Sequence, residues 1–183
     1  MSFVAGNHSG LDQGSFTQWR GSACAEISNF DQLPPFLLNV VSPYDLWMYV
    51  SSFGGLTAGR VNADNAIFPY QTEDQLHEAH HGGGPATLVW LDREEGGRCW
   101  EPFERLGVPH PEVRRSLLKN LVGNQLIFCE QQAELEMEFA YRWTATENFG
   151  FVRTASITNV GKSSRKVQLM DGVRHIIPWG LSR

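Results

Sequence analysis

The sequence predicts an all-β domain with one short helix, and three features indicate this fold class. In the segment 134–143, apolar side chains occupy every second position, and Glu or Arg occupies most positions between them. Successive side chains of a strand point to opposite faces, so this alternation favours a strand over a helix. Two further strand-like runs follow at 149–158 and 166–177. The 18 glycines and nine prolines are spread along the chain, as turns between short strands require.

The composition is that of a soluble globular protein. A chain of 183 residues can bury roughly 70% of its unfolded surface in one domain. The net charge of −5 and the lack of a dense Lys/Arg patch argue against a nucleic-acid partner. The sequence shows neither a membrane-spanning apolar run nor a secretory signal. Three widely spaced cysteines indicate reduced thiols, and hence a cytoplasmic protein.

The first 21 residues are rich in Gly, Ser, Asn and Gln, and we expect a flexible N-terminal arm there. The β-sandwich domain would then span residues 22–183. Its first strand is predicted at 22–28, and Pro34-Pro35 precedes the apolar run 36–41. A strand at 46–51 is followed by the Gly54-Gly55 turn, after which residues 56–60 return beside it.

The segment Thr72–His81 predicts the one convincing helix. Thr72 can cap the first turn, and Gln75 occupies the reciprocal position of a capping box. Glu73 and Asp74 place negative charge at the positive end of the helix dipole. The run Gly82–Pro85 ends the helix after about two and a half turns.

Two hairpins follow the helix. The runs 86–91 and 99–103 flank a Gly-rich turn, and the runs 116–122 and 125–131 are joined by Gly123-Asn124. From Arg115 onward the pattern predicts a meander of four or five antiparallel strands. The charged face of its central strand, formed by Glu134, Glu136, Glu138 and Arg142, is expected to be solvated.

The sequence His77-Glu78-Ala79-His80-His81 matches the H-E-x-x-H pattern of zinc proteases. His77 and His81 would bind the metal, and Glu78 would act as the general base. The match lies in a short polar helix, and Thr87 stands where an extended motif places its third ligand. A solvated helix end is therefore the preferred interpretation, and no cofactor or metal is predicted. A zinc-dependent hydrolase remains the alternative.

Other candidate site residues are also turn or strand-end residues. Arg60, Asn62 and Asp64 form a polar loop that could bind a ligand, although Asn and Asp are common in turns. Glu147, Asp171 and His175 could supply the acid/base pair of a mutarotase-like sugar enzyme, but sequence alone does not place them together. The six tryptophans could include sugar-stacking platforms, whereas Trp143 is expected to pack in the core.

Several segments resemble the N-terminal region of cellobiose phosphorylase-like proteins, which belong with glycoside hydrolase family 94 and the cyclic β-1,2-glucan enzymes. These segments are Ser42–Arg60, Ala66–Asp74, Lys119–Asn124, Asn148–Thr154 and Asp171–Pro178. The resemblance implies an antiparallel β-supersandwich similar to galactose-mutarotase-like domains. In that family a helical barrel follows the sandwich and carries the catalytic acid, so no catalytic residue is carried over to this chain.

The resemblance implies that this chain is a fragment of a larger multidomain protein, which would be a glycoside phosphorylase or hydrolase. The domain is then expected to be non-catalytic, with a structural or glycan-binding role in carbohydrate metabolism. Its partners would be carbohydrate or the C-terminal catalytic domain of the parent protein. A homodimer is also compatible with the resemblance, whereas nucleic acid and membrane are not expected as partners.

Overall fold

The computed structural model describes residues 14–78, 83–92 and 96–177, and the strands within these ranges form three antiparallel sheets. The elements, in chain order, are β1 (Gly14–Trp19), β2 (Ser22–Ser28), η1 (Phe30–Gln32), β3 (Leu37–Asn39), β4 (Leu46–Ser51), β5 (Leu56–Arg60), η2 (Ala63–Asn65), β6 (Ala66–Phe68), α1 (Glu73–Glu78), β7 (Gly84–Leu91), β8 (Arg98–Trp100), β9 (Val113–Asn120), β10 (Gln125–Gln132), β11 (Met137–Thr146), β12 (Gly150–Asn159) and β13 (Val167–Arg174). Here η1 and η2 are single 3₁₀ turns. The predicted all-β fold is confirmed, and α1 is the only α-helix in the described ranges.

The largest sheet has six strands in the order β1-β2-β9-β10-β11-β12. A four-stranded sheet has the order β3-β4-β5-β6, and a three-stranded sheet has the order β13-β7-β8. All neighbouring strands are antiparallel, so most connections are short turns. Four connections carry the chain between sheets: those from β2 to β3, β6 to β7, β8 to β9 and β12 to β13.

The core lies where one face of the six-stranded sheet meets the two smaller sheets. The same apolar cluster contains Phe128 and Tyr141 from the large sheet, Met48 from the four-stranded sheet and Val89 from the three-stranded sheet. The rings of Phe128 and Tyr141 stack with their centroids 4.8 Å apart. Layers that share one apolar core in this way form a β-sandwich.

The opposite face of the six-stranded sheet is covered in part. Cys24, Leu118 and Ile127 form a second buried cluster there, and the Trp19 ring packs against it. The Arg142 guanidinium lies 5.5 Å from the centroid of the Trp19 ring, a cation–π contact. The prediction that Arg142 is simply solvated is therefore wrong.

The β10–β11 hairpin corrects the predicted start of the central strand. β11 begins at Met137, and residues 133–136 form the turn, with Glu136 at a φ of 53°. Glu134 and Glu136 thus lie in the turn, where they pair with Arg98 and Arg165 respectively. The alternation of apolar and charged residues in the sequence continues into this turn, because Leu135 is buried although it does not lie in a strand.

The meander, predicted with four or five strands, has four. β9 to β12 pair in sequence, but β13 leaves this sheet and pairs with β7, from Val167 opposite Leu91 to Arg174 opposite Gly84. Local alternation predicts a strand without identifying its partner, because pairing between residues 76 to 90 positions apart leaves no local signal.

Three smaller differences concern element boundaries. Residues 14–19 of the predicted arm form β1, whereas residues 1–13 lie outside the described ranges. The helix α1 spans Glu73–Glu78, and the rest of the segment predicted to continue to His81 is also outside them. The strand predicted at 99–103 is β8, and it ends at Trp100 because Phe103 has a φ of 66°.

Candidate functional site

A cleft of about 710 Å³ lies where the three sheets meet. Its walls come from the residues around β4, β5 and β6, from the β11–β12 hairpin and from the end of β13. Clefts of this size, with apolar walls and a few polar groups, are typical small-ligand sites. It is larger than the cavity of about 280 Å³ that lies near Arg115.

The mouth of the cleft combines aromatic and acidic side chains. Phe149, at the tip of the β11–β12 hairpin, is 81% exposed, and Tyr44 is 43% exposed. Glu147 lies on the same hairpin and interacts with the Tyr44 hydroxyl. Partial burial raises the pKa of Tyr44, and the negative charge of Glu147 raises it further. The mouth of the cleft therefore presents aromatic rings and a carboxylate to a ligand.

An ion pair stands at one rim of the cleft. Arg60 at the end of β5 donates from Nη2 to Oδ1 of Asp45, at 3.3 Å, and both side chains are about half exposed. An exposed pair of this kind contributes little to stability, about 0–1 kcal/mol. Its groups stay accessible to a ligand in the cleft.

The inner wall of the cleft is braced by a second, more buried ion pair. Arg153 of β12 donates from Nη1 and Nη2 to Asp171 of β13, at 2.6 and 2.8 Å, and Thr87 of β7 donates to the same carboxylate at 2.7 Å. The Arg153 guanidinium also lies 5.0 Å from the centroid of the Tyr141 ring. Burial tends to raise the pKa of Asp171, but the hydrogen bonds from Arg153 and Thr87 outweigh burial, and the pKa is lowered.

Of the three loop residues predicted to bind a ligand, one lines the cleft. Arg60 lines it, whereas Asn62 and Asp64 do not appear among its lining residues. Asn62 caps η2, and its side-chain oxygen accepts from the backbone and the side chain of Asn65, at 3.3 and 2.8 Å. Turn chemistry therefore accounts for Asn62, the interpretation that the sequence favoured.

The predicted acid/base residues do not form one constellation. Glu147 lines the cleft, Asp171 is held by Arg153, and His175 is not among the lining residues. His175 follows β13 at a φ of 61°. The pKa of Asp171 is lowered, so its carboxyl group is held in the charged form, and mutarotase-like chemistry stays a prediction.

The H-E-x-x-H motif is only partly described. Nδ1 of His77 lies 2.8 Å from the Ser51 hydroxyl, and its Nε2 lies 3.5 Å from Glu73. His81 falls outside the described residues. Among those that are described, no group of three or more His, Cys, Asp or Glu side chains could hold a metal ion.

A second cavity, of about 280 Å³, borders a buried charge cluster. Arg115 bonds to Asp31 at 2.6 Å and to Glu130 at 2.7 Å, and these three side chains are at most 6% exposed. Glu130 also accepts from Trp100 Nε1 and from the backbone of Phe103. These groups hold η1, β9, β10 and the loop after β8 together, which is a structural role.

Sequence reasoning missed most residues that line the cleft. Phe149 and Tyr44 lie in segments that carry the family resemblance, but the resemblance gives them no role, and their exposure is visible only once the sheets are assembled. Arg153 occupies an ordinary strand position. The charged residue at an inward-facing position of β12 was the one available signal, because such a residue needs a buried partner.

A scan against protein-family models gives no match, and a search of curated proteins finds no similar sequence. The resemblance to cellobiose phosphorylase-like proteins therefore stays a prediction. No helix in the described part of the chain is long and apolar enough to cross a membrane.

Proposed function

We propose that this chain is a non-catalytic β-sandwich domain of a carbohydrate-active protein, and that it binds carbohydrate in the cleft between the three sheets. The observation that carries this proposal is the mouth of the cleft. There the exposed ring of Phe149 lines the same cleft as Tyr44, Glu147 and the Arg60–Asp45 pair.

The physical chemistry of sugars fits such a mouth. A pyranose ring has an apolar C–H face that packs on aromatic rings, and its hydroxyl groups both donate and accept hydrogen bonds. Phe149 and Tyr44 offer the rings. Glu147 and Asp45 accept hydrogen bonds, and Arg60 donates them.

A binding role suits these groups better than a catalytic one. Glycoside hydrolysis requires two carboxyl groups with different pKa values on either side of the scissile bond. In this cleft Asp45 is paired with Arg60, and the neighbouring Asp171 is held in its charged form by Arg153. Among the described residues that line the cleft, the second carboxyl group beside Glu147 is that of Asp45, which is already paired.

The proposal includes a parent protein. The sequence resemblance supports a glycoside phosphorylase or hydrolase, whose C-terminal domain would carry the catalysis and contact this sandwich. The free thiols of Cys24, Cys99 and Cys129 agree with a cytoplasmic location, where thiols stay reduced.

Titration with neutral gluco-oligosaccharides, both β-1,4- and β-1,2-linked, tests the proposal. Tryptophan fluorescence is a suitable readout because Trp143 lines the cleft. We expect saturable binding at millimolar concentrations or below, and Phe149→Ala should weaken it at least about fivefold, since an aromatic contact contributes about 1 kcal/mol.

Phe16→Ala is the matched control. Phe16 lies on β1, is 82% exposed, and does not line the cleft. This variant should bind as the wild type does. The proposal fails if no oligosaccharide binds, or if both variants weaken binding equally.

A further inference from the structure

Two buried donors on the inner wall of the cleft have no hydrogen-bond partner among the described residues. They are Nε1 of Trp143 and Nε of Arg153, and both residues line the cleft. The two residues are directly opposite each other on β11 and β12, so their side chains share one face of the sheet. A buried donor without a partner costs about 1–3 kcal/mol, and such groups often mark a functional site.

The donors on this wall carry no uncompensated positive charge. Nη1 and Nη2 of Arg153 are both bound by the Asp171 carboxylate, which neutralises the guanidinium. Trp143 is 3% exposed, and indole is a neutral donor. The wall is therefore suited to uncharged acceptors such as hydroxyl and ring oxygens rather than to an anion.

The mouth of the cleft, unlike its inner wall, carries an uncompensated charge. Asp45 is compensated by Arg60, whereas Glu147 forms no ion pair with a cation in the described ranges. Glu147 is exposed and faces Tyr44. The net charge of the groups at the mouth is thus negative, and an anionic ligand would meet like charge there.

We infer that the cleft selects neutral polyhydroxylated ligands over uronic acids, with ligand oxygens accepting from Trp143 and Arg153 and ligand hydroxyls donating to Glu147. This inference rests on the proposed function. It adds the class of sugar that binds, and it assigns the exclusion of uronic acids to Glu147. Glu147 is then a specificity-determining residue.

A matched ligand pair tests the selectivity. The two probes are a cello-oligosaccharide and the same oligosaccharide oxidised at C6 to the uronate. Wild-type protein should bind the neutral probe at least about tenfold more tightly, since like charges a few ångströms apart near a protein surface repel by more than a tenfold factor in affinity.

Glu147→Gln should reduce this preference to about threefold or less, because it removes the charge and keeps the size of the side chain. Asp64→Asn is the control, since Asp64 is exposed in the neighbouring η2 turn and does not line the cleft. This control should keep the full preference, which distinguishes local repulsion from an effect of net charge.

The possible outcomes separate the two proposals. If both probes bind the wild type equally, or if Glu147→Gln leaves the preference unchanged, the selectivity inference is wrong and carbohydrate binding stands. If neither probe binds, the proposed function fails and the inference fails with it. An equal loss of preference in Asp64→Asn would also overturn the role of Glu147.

A second variant tests the donors on the inner wall. Trp143→Phe removes the Nε1 donor and keeps an aromatic ring, and it should weaken binding of the neutral probe at least about fivefold. Trp90→Phe is the control, since Trp90 is 42% exposed and outside the cleft. Unchanged affinity in a folded Trp143→Phe protein would contradict the assigned donor.

Discussion

Arg153 on β12 and Asp171 on β13 form a bidentate ion pair that joins the six-stranded sheet to the three-stranded sheet. The Arg153 side chain is 8% exposed and that of Asp171 is 20% exposed. The two strands are neighbours in sequence but belong to different sheets, so this pair fixes how the sheets meet beside the cleft. Arg153 therefore both lines the cleft and helps to hold the two sheets together.

Replacing Asp171 with Asn should destabilise the protein by about 2 kcal/mol, because Arg153 would lose a charge-assisted partner. Urea unfolding monitored by tryptophan fluorescence measures this loss. Asp92→Asn is the control: Asp92 pairs with Lys166, whose side chain is 80% exposed, and the change should cost clearly less stability than Asp171→Asn. Equal effects of the two substitutions would contradict the role of the Arg153–Asp171 pair.

The same pair contributes to the pH dependence of stability. The pKa of Asp171 is lower in the folded protein than its ordinary value of 3.8. Its stabilisation is therefore fully present above that ordinary value and is lost as the pH falls through the folded pKa. Between pH 5 and pH 2, Asp171→Asn should lose less stability than the wild type, and parallel curves would contradict this.

The buried cluster around Arg115 should be more sensitive than the Arg153 pair. Burial tends to lower the pKa of the Arg115 guanidinium, but Glu130 and Asp31 outweigh it and raise the pKa. Arg115→Met would leave two buried carboxylates without a cation and should cost about 3–5 kcal/mol in urea unfolding.

Arg114 provides the control for that substitution. It precedes Arg115 on β9, points to the other face of the strand and is exposed. Arg114→Met should change stability by less than about 0.5 kcal/mol. A cost for Arg115→Met as small as that of Arg114→Met would mean that the cluster does not hold η1, β9 and β10 together.

The three cysteines should differ in reactivity. Cys99 is exposed and Cys24 is fully buried. Burial, followed by the negative charges of Glu138 and Glu26, raises the pKa of Cys129 to about 12, so its thiol stays protonated at pH 8. Iodoacetamide at pH 8 should label Cys99 in the native protein and all three cysteines in urea, as mass spectrometry would show. Rapid native labelling of a Cys99→Ser variant would contradict this assignment.

The sequence predicted local structure well and distant pairing poorly. Alternation identified β11, and glycine turns identified the β4–β5 and β9–β10 hairpins, because these patterns depend on neighbouring residues. The pairing of β13 with β7 could not be predicted, since local alternation identifies a strand but not its partner. It also places Asp171 against Thr87 and within reach of Arg153.

The candidate site shows the same limit. From the sequence, Arg60 was a candidate ligand-binding residue of a polar loop and Glu147 a candidate member of an acid/base pair, but the sequence did not place them in one site. Their common cleft arises because the end of the four-stranded sheet meets the β11–β12 hairpin. Phe149 gave no signal, since a single Phe in a turn is visible as a binding residue only when its exposure is known.

The indole N–H signals in a ¹H–¹⁵N spectrum test the central claim, that the cleft binds carbohydrate, most directly. Trp143 Nε1 lies on a wall of the cleft without a described partner, whereas Trp100 Nε1 donates to Glu130 at 2.9 Å beside the other cavity. On titration with a neutral gluco-oligosaccharide, the Trp143 signal should shift with saturation and the Trp100 signal should stay in place. A Trp143 signal that does not move at millimolar oligosaccharide, or a shift confined to Trp100, would contradict it.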